Sequence, residues 1–190
     1  MQNWVTSCLG EALLFKYSHP LALELAGVVF IILLGSTLHF TYALSGNQPL
    51  VGVFSAVNES VWEHLKLAFW PSLFWMLIEL YPLRKTVNNF FSAKTIGTYV
   101  MVFFIPSVFY LYTAFTGESI FAVDIATFIV AVIAGQTASY KLLQKRSFPK
   151  FTNEIAIAAI SVLAAMFIVF TFYPPHLAIF QDPTTWQFGI

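Results

Sequence analysis

Charge is what this sequence has least of: 9% of its 190 residues are Asp, Glu, Lys or Arg, against about a quarter in an ordinary soluble domain. Nine cations and nine acids could not keep a soluble surface of this size wet, so the excess apolar surface is expected to face lipid. A surplus of either sign is also missing. With a formal net charge of zero, the chain lacks the basic footprint that nucleic acid demands, and no nucleic-acid partner is expected. Cysteine is nearly absent too: the single Cys8 excludes an intrachain disulfide framework and a thiolate zinc site. Internal repeats, a Gly-rich phosphate loop, a His-Glu-x-x-His pair and a Gly-x-Ser-x-Gly elbow are all lacking.

What is present is apolar length. A membrane-crossing helix needs roughly 20 mostly apolar residues, and five runs qualify, at about residues 21–44, 61–81, 93–115, 120–143 and 154–173. They lack the alternation of a barrel strand, so the predicted fold is all-α, a five-span transmembrane bundle forming one integral membrane domain over 1–190. Before Pro20, Trp4, Val5, Cys8, Leu9, Ala12 and Leu13 recur at helical spacing, which predicts an amphipathic helix lying in the interface. Arg84, Lys85 and Lys94 follow the second span and Lys141, Lys145, Arg146 and Lys150 the fourth, whereas the loops after the first and third carry no cation. Cytoplasmic loops keep the cations, so the amino terminus is expected inside a cell membrane and the carboxyl-terminal tail, an ordered one, outside.

Ionisable groups within spans point to function by default. His39 near the end of the first span, Glu59, Glu63, His64 and Lys66 at the start of the second, Asp124 at the start of the fourth, and His176 and Asp182 in the tail all fall at the external level. On the cytoplasmic side Glu24, Glu79 and Glu154 look scattered. At about 100° per residue, Glu59, Glu63 and Lys66 share one helix stripe and His64 stands at its edge. Carboxylates and neutral imidazoles are the usual ligands of a divalent metal such as zinc. His39, Glu63, His64 and His176 are therefore the candidate ligands, Glu59 and Asp124 the candidate bases, and Asn58, Ser60, Lys66 and Asp182 further pocket residues. Blander roles compete: Ser60 and Glu63 fit a capping box, and Glu63 and Lys66 fit an i, i+3 ion pair. Gly97, Gly135 and Ser139 offer small surfaces for helix contact, with Gln136 and Tyr140 able to bond across helices.

The run Val-Asn-Glu-Ser-Val-Trp-Glu-His-Leu-Lys at 57–66, with His39, Phe40, Gly46 and Pro71, resembles a family of uncharacterised small multi-pass membrane proteins from bacteria. The tail from Tyr173 through Pro174, Pro175, His176, Phe180, Asp182 and Pro183 to Gly189 and Ile190 resembles the same family's ending. The resemblance implies a fold and a bacterial cytoplasmic membrane, and no activity. Three functions stand as alternatives: a metal-dependent hydrolase acting on a lipid or small molecule at the outer interface, a binder or transporter of a metal ion or proton, and a non-catalytic subunit of a membrane complex.

Overall fold

A computed structural model describes the backbone of residues 2–83, 86–145, 149 and 152–190, with side chains from Pro20 onward. The amphipathic stripe of Trp4 to Leu13 and the cations Arg84, Lys85, Arg146 and Lys150 lie outside the described side chains. Six α-helices follow one another there: α1 (Gln2–Leu44), α2 (Pro49–Gly52), α3 (Val61–Leu83), α4 (Phe90–Thr116), α5 (Phe121–Leu143) and α6 (Thr152–Phe172). A 3-10 turn, Ala178–Phe180, begins the folded part of the tail. No strand forms among the described residues; the tail holds one isolated antiparallel bridge, Gln181 with Phe188.

Helices α3 to α6 coincide with the last four predicted apolar runs within a few residues, and the first run forms the second half of α1. Helix α1 continues through Pro20, where the sequence separates an interfacial helix from the first span. Proline leaves the carbonyl four residues back unbonded but does not oblige the helix to stop. At 1.5 Å per residue, the 43 residues of α1 reach about 65 Å, twice the hydrocarbon thickness. Only the part after Pro20 fits a bilayer.

Four helical segments are long and apolar enough to cross a membrane: Pro20–Leu44, Phe90–Thr116, Phe121–Leu143 and Thr152–Phe172. Helix α3 has the length, at 23 residues, but carries Glu63, Lys66 and Glu79. Its position explains that composition. Trp62, Leu65, Phe69 and Trp70 pack on Ile160, Leu163 and Phe167 of α6. Met76 and Leu83 pack with Phe90 and Ala93 of α4 and Leu143 of α5. Ala68 joins Ile31 of α1, Met101 of α4 and Val132 of α5. Glu63, Lys66 and Glu79 lie on the enclosed faces of this helix, where charge can be paired, while Leu77, Ile78 and Tyr81 stay exposed. The outer helices likewise turn large apolar side chains outward, among them Leu25, Leu33, Phe103, Leu111 and Val162.

Lipid is as apolar as leucine, so close backbone approach and polar pairing hold such helices together. Gly97 and Gly135 supply the approach between α4 and α5, as their size predicts: a Cβ on Gly97 would lie 2.7 Å from the Gly135 carbonyl oxygen. Gly97→Val is expected to force α4 from α5 and to destabilise by about 1–3 kcal/mol, checked by thermal unfolding in detergent. At the end of the bundle away from the tail, asparagines tie the loops. Asn89 donates to the Leu142 carbonyl at 2.6 Å, and Asn153 donates to the Asn88 carbonyl at 2.6 Å while its own oxygen accepts from Ser92.

Candidate functional site

The tail end of the bundle is shaped by residues 45–60 between α1 and α3. Gly46 and Asn47 adopt positive φ, 72° and 61°, which reverses the chain after α1. Ser55 then reaches back into that helix. Its hydroxyl accepts the Tyr42 N–H at 3.0 Å and donates to the Leu38 carbonyl, the oxygen Tyr42 would bond in an unbroken helix. A hydroxyl spliced into the ladder bends a helix locally, and His39 stands in that turn. Asn58 accepts the Ser60 N–H at 2.9 Å and donates to the Gly189 carbonyl at 3.1 Å, joining this loop to the tail. Ser60 caps α3 by accepting the Glu63 N–H at 3.3 Å. The returning half of the capping box is altered, because Glu63 accepts from Val57 N–H at 3.0 Å instead.

These elements bring His39, Glu59 and His64 together, with one ligand atom from each lying within 4.8 Å of the others. The His39 and His64 rings are 5.1 Å apart. His64 Nδ1 lies 2.9 Å from the Ser60 carbonyl. A carbonyl only accepts, so Nδ1 carries the proton and Nε2 presents its lone pair when the ring is neutral. That Nε2 lies 3.4 Å from Glu59 Oε2. Two ligands about 2.0–2.1 Å from a tetrahedral zinc stand about 3.3–3.4 Å from each other, so this edge has the dimension a metal requires. His39 Nδ1 is buried without a hydrogen-bond partner, an arrangement that a cation would relieve. The donor set of two imidazoles and a carboxylate suits zinc and its borderline neighbours.

The other candidate residues stand elsewhere. Glu63, 2% exposed, pairs with the fully buried Lys66 at 2.5 Å. The Lys66 ammonium also donates to the Gly52 carbonyl at 2.7 Å and to the Thr171 hydroxyl at 2.8 Å, so all three of its protons are used. Asp124 accepts from the Tyr112 hydroxyl at 2.5 Å at the α4–α5 corner. His176 is exposed in the tail with its ring 4.7 Å from that of Phe188.

Asp182 organises the tail. One carboxylate oxygen accepts from Thr184 N–H at 2.7 Å, Thr184 hydroxyl at 2.6 Å and Thr185 N–H at 3.2 Å, and the other from Glu59 N–H at 3.4 Å. Burial pushes this carboxyl up, but the Thr184, Thr185 and Glu59 donors outweigh it and hold it below its ordinary 3.8. A depressed carboxyl contributes stability above its unfolded value and loses it as pH falls through the folded one. The tail tie is therefore expected to hold above pH 3.8 and to release progressively below it. Asp182→Asn should flatten the acid side of a plot of melting temperature against pH in that window.

The opposite end departs from the sequence expectation. Glu24 and Glu79 are not scattered: both are buried and both pair with the Lys94 ammonium, Glu24 at 2.6 Å. Lys94, counted among the loop cations from sequence, sits in the first turns of α4 at 4% exposure. Ser139 donates to the same Glu24 oxygen at 2.7 Å, and Gln136 to the Glu24 backbone carbonyl at 3.4 Å. Glu154 alone of the three acids is exposed. The available signal was complementarity between spans, two acids and one cation at a single depth with small polar residues at i, i+3 on α5.

Residues 15–190 match the model of a family described as a family of unknown function, DUF6512. No curated protein and no solved structure matches the chain.

Proposed function

We propose, for a chain that belongs to the DUF6512 family of unknown function, that it is a membrane protein binding a divalent metal of the zinc kind through His39, Glu59 and His64. The observation that carries this reading is the preset geometry: His64 Nε2 lies free of its own backbone bond and 3.4 Å from Glu59 Oε2, with one ring nitrogen of His39 within 4.8 Å of the ligand atoms of both residues. Helix α3 counts as a fifth span because its charges are paired inside the bundle. Lys66 and Lys94 drop out as topological markers. Of the remaining cations Lys16 precedes the first span and the others lie at the end of α5 or in the loops after α3 and α5, which supports a metal site and tail on the outer side of a cell membrane.

Within that reading, cation binding is favoured over hydrolysis. Glu59 is a ligand rather than a base, Asp124 is engaged by Tyr112 and Glu63 by Lys66, so no carboxylate is left at the site to accept a proton. One observation favours hydrolysis: three protein ligands leave a position where a metal-bound water with pKa near 7 could act on a lipid or small molecule. Cobalt titration of detergent-purified protein tests the site, because a tetrahedral site of this kind gives intense visible absorption that zinc then displaces. Stoichiometric, zinc-displaceable cobalt supports the metal site, and absence of binding in folded protein removes it. Zinc flux into liposomes against release of fatty acid from their lipids then separates passage from hydrolysis.

A further inference from the structure

We infer that Glu24 and Glu79 hold one proton between them against Lys94, forming a buried proton-binding site at the end of the bundle opposite the tail. The inference stands apart from the metal reading, since none of its residues touches His39, Glu59 or His64. The argument begins with a charge count. Glu24 from α1, Glu79 from α3 and Lys94 from α4 are the charged groups in contact, at 3%, 0% and 4% exposure. From α5 the contacts with Glu24 are Ser139 and Gln136, which do not titrate. Two carboxylates and one ammonium leave a net negative charge, and no second basic side chain contacts the cluster among the described residues.

Partner geometry gives an independent indication. Lys94 and Ser139 converge on a single Glu24 oxygen, leaving Glu24 Oε2 with no hydrogen-bond partner. Glu79, fully buried, faces the same ammonium from α3. Two like carboxylates held against a single ammonium in a low dielectric leave a charge imbalance that one shared proton removes. A proton suits the place better than a metal ion, because the ammonium already occupies the position between the carboxylates and a proton needs no coordination shell. The cluster is closely packed on its α1 side as well. A Cβ on Gly27 would overlap both Gln136 Nε2 and Trp75 Nε1. The binding and release of that proton takes place where α1, α3, α4 and α5 meet, so the site is placed to couple protonation to how those helices pack.

Infrared spectroscopy of the full chain in lipid tests this, because a protonated carboxyl has a carbonyl stretch that a carboxylate lacks. The expected result near neutral pH is such a band in the parent, shifted down in heavy water and lost in Glu79→Gln or in Glu24→Gln. Either glutamine mimics the neutral acid, so melting temperature should stay near the parent's, and a melting curve on each variant confirms the fold. Lys94→Met, which leaves both acids without a cation, should strengthen the band. A parent without the band, or a band unchanged in both glutamine variants, overturns the proposal. So does a band abolished by raising sodium at constant pH, which would assign the site to a metal cation.

Discussion

Lys66→Met is expected to lower the stability of the protein by about 3–5 kcal/mol, the usual consequence of removing one partner of a buried ion pair. Lys66 is fully buried and Glu63 is 2% exposed, so neither charge has water to fall back on. Without the ammonium, Glu63 keeps only the Val57 N–H, and the Gly52 carbonyl loses its donor as well. The Thr171 hydroxyl loses the contact that joins the end of α6 to α3. Adding Glu63→Gln to Lys66→Met should restore most of the loss, because the glutamine can still accept from Val57 and no isolated charge remains. Thermal or denaturant unfolding in detergent measures both variants and the coupling between them. A single variant as stable as the parent would mean that the pair is hydrated in the membrane.

His64→Ala and His39→Ala are each expected to weaken zinc binding by more than about 100-fold, beyond the 10–100-fold that follows loss of an outer-shell partner. Glu59→Gln should weaken it too, since a neutral amide is a poor zinc ligand. His176→Ala and Asp124→Asn should leave it unchanged, because the structure holds those side chains against Phe188 and Tyr112. This contrast matters more than any single value. If His176→Ala weakens binding as strongly as His64→Ala, the tail closes over the metal in solution. Affinity should also fall on acidification, because protons compete with the metal for the imidazoles.

The helices were legible because lipid imposes a length on apolar runs and because loops such as 117–120 are too short to hide elements. The level of the polar groups was legible for the same reason: His39, Glu59 and His64 meet as depth alone suggests. Lateral position was not. Depth cannot tell that Glu63 turns to Lys66 or that His176 stays against Phe188, since rotation about each helix is set by packing partners far away in sequence. The Glu24, Glu79 and Lys94 cluster escaped notice because each charge lies within a turn or two of a predicted span end, where an interfacial position is the ordinary one. Its members come from three helices, and only their packing identifies them as partners.

The central place of α3 bears on how the protein is made. Acidic and basic residues within a segment oppose its partition from the translocon into lipid, by about 2.5–3.5 kcal/mol each at the centre and by less toward the ends. With Glu63, Lys66 and Glu79, α3 is the long helix least able to enter lipid by itself. Glu63 and Lys66 neutralise one another within the segment, but Glu79 has to wait for Lys94, which the ribosome delivers with α4. If α3 is the fifth span proposed above, its residence in the membrane depends on a helix not yet synthesised when it emerges. Truncated chains that end before α4 should leave α3 extractable at alkaline pH, and chains that include α4 should retain it.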